Sequence, residues 1–116
     1  MKHRDELFSY LTTALWSSGD REYEHLDGTF MVSDIADETM KQARKDIESF
    51  MERAAEFLHP NDPTSHIGHD FWLTRNGHGA GFWDGDYVNG DKLTELSEQF
   101  GELTPYIGDD EKIYFS

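Results

Sequence analysis

A chain of 116 residues in which ten Lys plus Arg face twenty-four Asp plus Glu, a formal charge of −14, is long enough for one core and too short for two. The charge runs −6 over residues 1–60 and −8 over residues 61–116, so no acidic tail explains it, and a field of this sign repels nucleic-acid phosphates and anionic lipid. Cysteine is absent, which excludes a disulfide framework, a thiolate metal site and a Cys nucleophile.

The start, Met1-Lys2-His3-Arg4-Asp5-Glu6, lacks the apolar run of a signal peptide, and no apolar stretch approaches the ~18 residues that span a bilayer. The chain therefore reads as cytoplasmic. Residues 5–17 place Leu7, Leu11 and Ala14/Leu15 at helical spacing, with Ser17-Ser18-Gly19 as a stop. Residues 20–32 form an acidic, Gly-containing connection around Phe30-Met31-Val32. From Asp37 to about Leu58 the positions Met40, Ala43, Ile47, Phe50, Ala54 and Phe57 step by three and four, the stripe of an amphipathic helix that Pro60 and Pro63 end. Its far side stacks Glu48, Glu52 and Glu56 about 6 Å apart.

His69 to Arg75 has the aromatic and β-branched content of a strand, Asn76-Gly77-His78-Gly79 has turn chemistry, and Ala80 to Asp84 returns, predicting a hairpin. Gly90-Asp91 opens a short helix with Leu93, Leu96 and Phe100 inward and Gly101 as terminator. Tyr106-Ile107 and Lys112 to Phe115 flank Gly108-Asp109-Asp110-Glu111 and predict a second hairpin. The expected fold is α+β, in the order ααββαββ. Two N-terminal helices, the second long and amphipathic, pack on a small antiparallel sheet built from two hairpins with a short intervening helix. It is one domain over 1–116: helix and loop over 1–33, the long helix over 34–60, and a ββαββ portion over 66–116.

The run Gly68-His69-Asp70-Phe71-Trp72-Leu73-Thr74-Arg75-Asn76-Gly77-His78-Gly79-Ala80-Gly81-Phe82-Trp83-Asp84 resembles a signature of small, uncharacterised proteins encoded by tailed bacteriophages. The likeness extends weakly upstream through the 34–58 helix and downstream to the Tyr106-Ile107-Gly108-Asp109-Asp110 ending. It implies a phage origin, hence the host cytoplasm, and no mechanism. A basic residue near Gly85, expected in such proteins, is lacking here.

Three constellations bear on function. His66, His69 and His78, with Asp70, are of the types that bind zinc, but a strand puts His69 and Asp70 on opposite faces and His78 about 20 Å from His69. Neither a metal nor any other cofactor is expected. Asp70, Arg75, His78 and Asp84 could make an acid/base site or a small-ligand site if the hairpin closed on a cleft, yet no nucleophile motif accompanies them. Phe71, Trp72, Phe82 and Trp83 would lie on both faces of the hairpin, where a helix or a second molecule must cover them, which admits a self-assembling module.

The Glu48, Glu52, Glu56 edge is ordinarily a solvated helix face. Combined with the total charge it admits imitation of a DNA backbone, although Arg44, Lys45 and Arg53 interrupt it. The leading expectation is an acidic phage accessory protein, more a binder than an enzyme. It inhibits or modulates a host or phage protein with a basic surface, such as a DNA-handling enzyme, through Glu48, Glu52, Glu56, Asp84, Asp86, Asp109 and Asp110.

Overall fold

The computed structural model describes residues 2–78 and 81–116. Four helices dominate it: α1 Arg4–Trp16, α2 Asp37–Ala54, α3 Ile67–Arg75 and α4 Gly90–Glu98. A single hairpin follows them, β1 Pro105–Ile107 paired antiparallel with β2 Ile113–Phe115 in the register Pro105 to Phe115, Tyr106 to Tyr114 and Ile107 to Ile113. Short 3-10 turns occupy Leu26–Gly28, Val32–Asp34, Ala55–Phe57, Thr64–His66 and Phe82–Asp84.

This corrects the expected ααββαββ order. The C-terminal hairpin and the helices over 5–17, 37–58 and 90–100 form close to where spacing placed them, but the first hairpin does not exist. Residues 69–75 belong to α3, and the supposed return strand is a 3-10 turn at Phe82–Asp84, with Gly79 and Ala80 outside the described residues. The physical reason lies in burial. Ile67, Gly68, Phe71, Trp72, Leu73, Thr74 and Arg75 are all buried, so α3 is covered nearly all round. A helix sealed on every side has no polar stripe to betray its period, and a short apolar run of that kind cannot be told from a buried strand.

Gly68 explains how α3 gains its central place. A Cβ there would overlap the Glu6 carbonyl oxygen of α1 and meet the Tyr10 amide nitrogen at 2.9 Å, so only glycine lets the two helices cross this closely. Around the crossing runs a column of rings. Tyr10 stacks on Phe71 at 5.3 Å, Phe71 on Phe50 at 4.2 Å and Phe50 on Phe82 at 5.5 Å, and Phe82 meets Tyr87 edge-on at 4.9 Å. These separations suit offset and edge-to-face aromatic packing, which adds to the burial of apolar area. The four predicted hairpin aromatics therefore do not present two open faces. Phe71, Trp72 and Phe82 are core and only Trp83 is exposed, so the surface that would drive self-association through that hairpin is absent.

The small sheet closes its own edges. Pro105 has no N–H, and the outward-facing groups of Ile107 are both occupied: its N–H donates to Asp20 Oδ2 at 2.7 Å and its carbonyl accepts from Arg21 Nη2 at 3.0 Å. On the other side the Ile113 carbonyl accepts the Ala36 N–H at 2.9 Å. What the hairpin presents outward is side chain, the stacked pair Tyr106 and Tyr114.

Candidate functional site: an acidic exterior around a locked interior

Arg75 is the first of the expected site residues to be relocated. Its side chain is buried, 5% exposed, and joins all four helices. Nη1 donates to the Tyr10 hydroxyl of α1 at 2.9 Å and to Asp46 Oδ2 of α2 at 2.8 Å. Nε and Nη2 donate to the carbonyls of Gly101 and Phe100, both at 2.8 Å, in the turn that follows α4. Gly101 turns the chain at that point with φ of +77°. The guanidinium carbon lies 5.6 Å from the ring centroids of both Phe71 and Phe100. Burial, opposed by Arg75, pushes the Tyr10 phenol far above its ordinary value, so it stays a neutral hydroxyl in this cage. The arginine is a fastener, turned away from solvent.

Asp70 is half-buried and accepts the Tyr87 hydroxyl at 2.7 Å. Burial holds its carboxyl above the usual range, against the pull of that hydrogen bond and of His69 and His66, while Asp84 adds a small push upward. Burial and this carboxylate together raise the Tyr87 phenol strongly. Asp84 spends Oδ2 on the Gly81 N–H at 3.2 Å, and the His78 N–H closes the end of α3 on the Leu73 carbonyl. Asp70, Arg75, His78 and Asp84 are thus each engaged with a different partner among the described residues.

The histidines part company as well. His69 pairs Nδ1 with the Thr13 hydroxyl at 2.8 Å, beside the Trp16 ring, and His66 is exposed. Among the described residues no three His, Asp or Glu side chains are arranged to hold a metal ion.

The seven expected contact residues, Glu48, Glu52, Glu56, Asp84, Asp86, Asp109 and Asp110, are all exposed. They lie in three places. Glu48 and Glu52 sit one turn apart on α2, while Glu56 belongs to the 3-10 turn that continues it, so the regular stack ends after two members. Asp84 and Asp86 are in the loop before α4, and Asp109 and Asp110 are at the β1–β2 turn.

A division between the two acidic residue types was not visible in the sequence. Asp20, Asp34, Asp46, Asp62, Asp70, Asp84 and Asp110 all accept hydrogen bonds within the chain. Asp62 is the most buried of them and ties two loops, accepting the His59 N–H at 2.8 Å and the Val88 N–H at 3.0 Å. Among the described residues no glutamate carboxylate accepts a hydrogen bond, and ten of the eleven glutamates are exposed. Only two ion pairs form there, Arg75 with Asp46 and an exposed Lys92 with Glu95 at 3.8 Å. The excess negative charge faces outward and is not neutralised from within.

Set against protein-family models, curated proteins and solved structures, the chain matches none. No helix of the described residues is long and apolar enough to cross a membrane.

Proposed function

We propose that this chain is an acidic binding protein that occupies and modulates a basic protein surface, standing in for DNA on a DNA-handling enzyme. The phage-like run at residues 68–84 suggests a phage accessory protein acting in the host cytoplasm. The observation that carries the reading is the fate of the carboxylates: eighteen of twenty-four acidic residues are exposed, against nine exposed Lys and Arg, and internal ion pairs leave them almost untouched. Such a surface speeds and orients the approach of a positively charged partner, and the interaction weakens as salt screens it. Arg75, Asp70 and Asp84, which might have argued for chemistry, are occupied in holding the fold.

The test is capture from a bacterial lysate at low and at high salt, with the native chain and with Glu48→Gln/Glu52→Gln/Glu56→Gln. A basic, nucleic-acid-handling protein retained at low salt, released by salt, displaced by duplex DNA and lost by the triple variant is the expected result. A partner held equally by both chains with the same salt dependence would overturn the reading, and so would a retained partner that duplex DNA leaves in place.

A further inference from the structure

The largest exposed aromatic feature of the C-terminal hairpin has no role in the core. Tyr106 and Tyr114 are opposite one another in the register and stack face to face at 5.6 Å and 20° on the outward side of the sheet, with Tyr106 39% exposed. Between this pair and α2 lies a cleft of about 370 Å³, walled by Thr39 and Ala43 of α2 and by Leu103, with Glu38 and Gln42 at its rim. α2 turns the small residues Thr39 and Ala43 toward the hairpin at this point, and Phe115 completes the lining. Carboxylates stand on both sides. Glu38 lines the cleft close enough to act on the Tyr114 phenol, and Asp110 on the turn accepts a hydrogen bond from that hydroxyl at 2.7 Å.

We propose that this cleft receives one arginine side chain of the basic partner, its guanidinium laid on the Tyr106–Tyr114 rings and facing Glu38. The inference rests on the proposed function and names the point at which that surface becomes selective for a cation. Charge complementarity decides the occupant. Rings with exposed faces attract a cation by their quadrupole, Arg stacks on a planar ring better than Lys, and a carboxylate beside the rings adds hydrogen-bond acceptors for the guanidinium. A second copy of this chain would bring another −14 against Glu38 and Asp110, and an uncharged apolar segment would leave the Glu38 carboxylate beside it without a partner. A strand cannot add to the sheet here, since the β1 edge is closed by Pro105, Asp20 and Arg21.

The experiment is an NMR titration of the full chain with the peptide acetyl-Gly-Arg-Gly-amide and with its citrulline counterpart, which has the same shape and no charge, at about 0.15 M salt so that long-range attraction is screened. Ring signals of Tyr106 and Tyr114 should move and saturate with the arginine peptide and stay still with citrulline. Tyr106→Leu keeps the apolar area and removes a ring, and Glu38→Gln removes a charge; each should weaken binding about three-fold, the worth of an exposed cation–π contact. Unchanged amide signals over α1–α4 show that the variants are folded. Equal binding of citrulline, unchanged affinity in Tyr106→Leu, or shifts spread over the acidic surface without saturation at the two tyrosines would each overturn the cleft as an arginine site while leaving the acidic-binder reading standing. A saturable cleft in a chain that retains no basic protein from lysate would do the reverse. Tyrosine signals that broaden with protein concentration before peptide is added would assign the cleft to self-association and overturn the proposal.

Discussion

Along α3 and the loop after it, polar groups find partners inside the chain: Arg75 makes four hydrogen bonds, Asn76 binds the Trp72 carbonyl and the Leu103 N–H, and the Thr74 hydroxyl accepts the Phe82 N–H. On the outer edge of α2, Glu48 and Glu52 find none among the described residues, and neither does Glu56 just beyond it. The contrast separates two jobs. α3 and the loop after it hold the molecule together, and the glutamate-bearing edge of α2 meets the outside.

The contrast is broken most severely at Arg75. Arg75→Ala leaves the buried Tyr10 hydroxyl, the half-buried Asp46 and the Phe100 and Gly101 carbonyls without this donor, and removing one member of a buried ion pair costs about 3–5 kcal/mol. Chemical denaturation should show a loss approaching that size, a large share of the about 5–15 kcal/mol that holds an ordinary domain together. Arg75→Lys should recover little of it, since an ammonium cannot span three helices with a planar fork. A variant within 1 kcal/mol of the native chain would mean that the guanidinium is not what ties the helices.

Gly68→Ala comes next. Its methyl would collide with the Glu6 carbonyl oxygen, backbone that cannot swing aside, so α1 must shift off α3. Overpacking of this kind costs about 1–3 kcal/mol, although alanine favours helix over glycine by up to about 1 kcal/mol. A net loss, read from the denaturation midpoint, is expected; a gain would show that the crossing is loose.

These two residues also mark how far the sequence could be read. The α2 stripe, the first helix and the terminal hairpin were legible because each has one wet face or a clear turn, and Ile47, Phe50 and Ala54 are buried as their spacing requires. α3 was illegible because Phe71 to Arg75 has no wet face at all. One signal pointed the right way. Arg75 is the lone Lys or Arg between Arg53 and Lys92 and follows Phe71-Trp72-Leu73, a setting for a buried arginine more than an exposed one. Tyr10 and Asp46 could not be found as its partners, since they lie far from it along the chain, and the same holds for Asp62 with Val88 and Tyr87 with Asp70.

A smaller effect belongs to Asp70. Its folded carboxyl titrates above the ordinary range, with Tyr87, His69, His66 and Asp84 as the groups that face it. The folded state therefore holds this proton more tightly than the unfolded chain, and the contribution of Asp70 to stability falls as pH rises from the usual carboxyl value, near ~3.9, through the raised one. Asp70→Asn keeps an acceptor for the Tyr87 hydroxyl and removes the titration. The stability of the variant relative to the native chain should thus increase from pH 3.5 to 7 and then level off; a flat difference would place the carboxyl in ordinary solvent.

The smallest change in stability is expected where the charge is densest. Glu48→Gln/Glu52→Gln/Glu56→Gln removes three carboxylates that accept no hydrogen bond among the described residues, and surface changes of this sort stay within about ±0.5 kcal/mol each. The sign should lean toward stabilisation, because the native chain carries −14 and each neutralised glutamate relieves self-repulsion. The same variant should bind a basic partner more weakly and with a shallower dependence on salt. An unaltered fold with an altered salt response would keep the two regions distinct in function as they are in structure, whereas a marked loss of stability would mean that this edge of α2 is held by the fold after all.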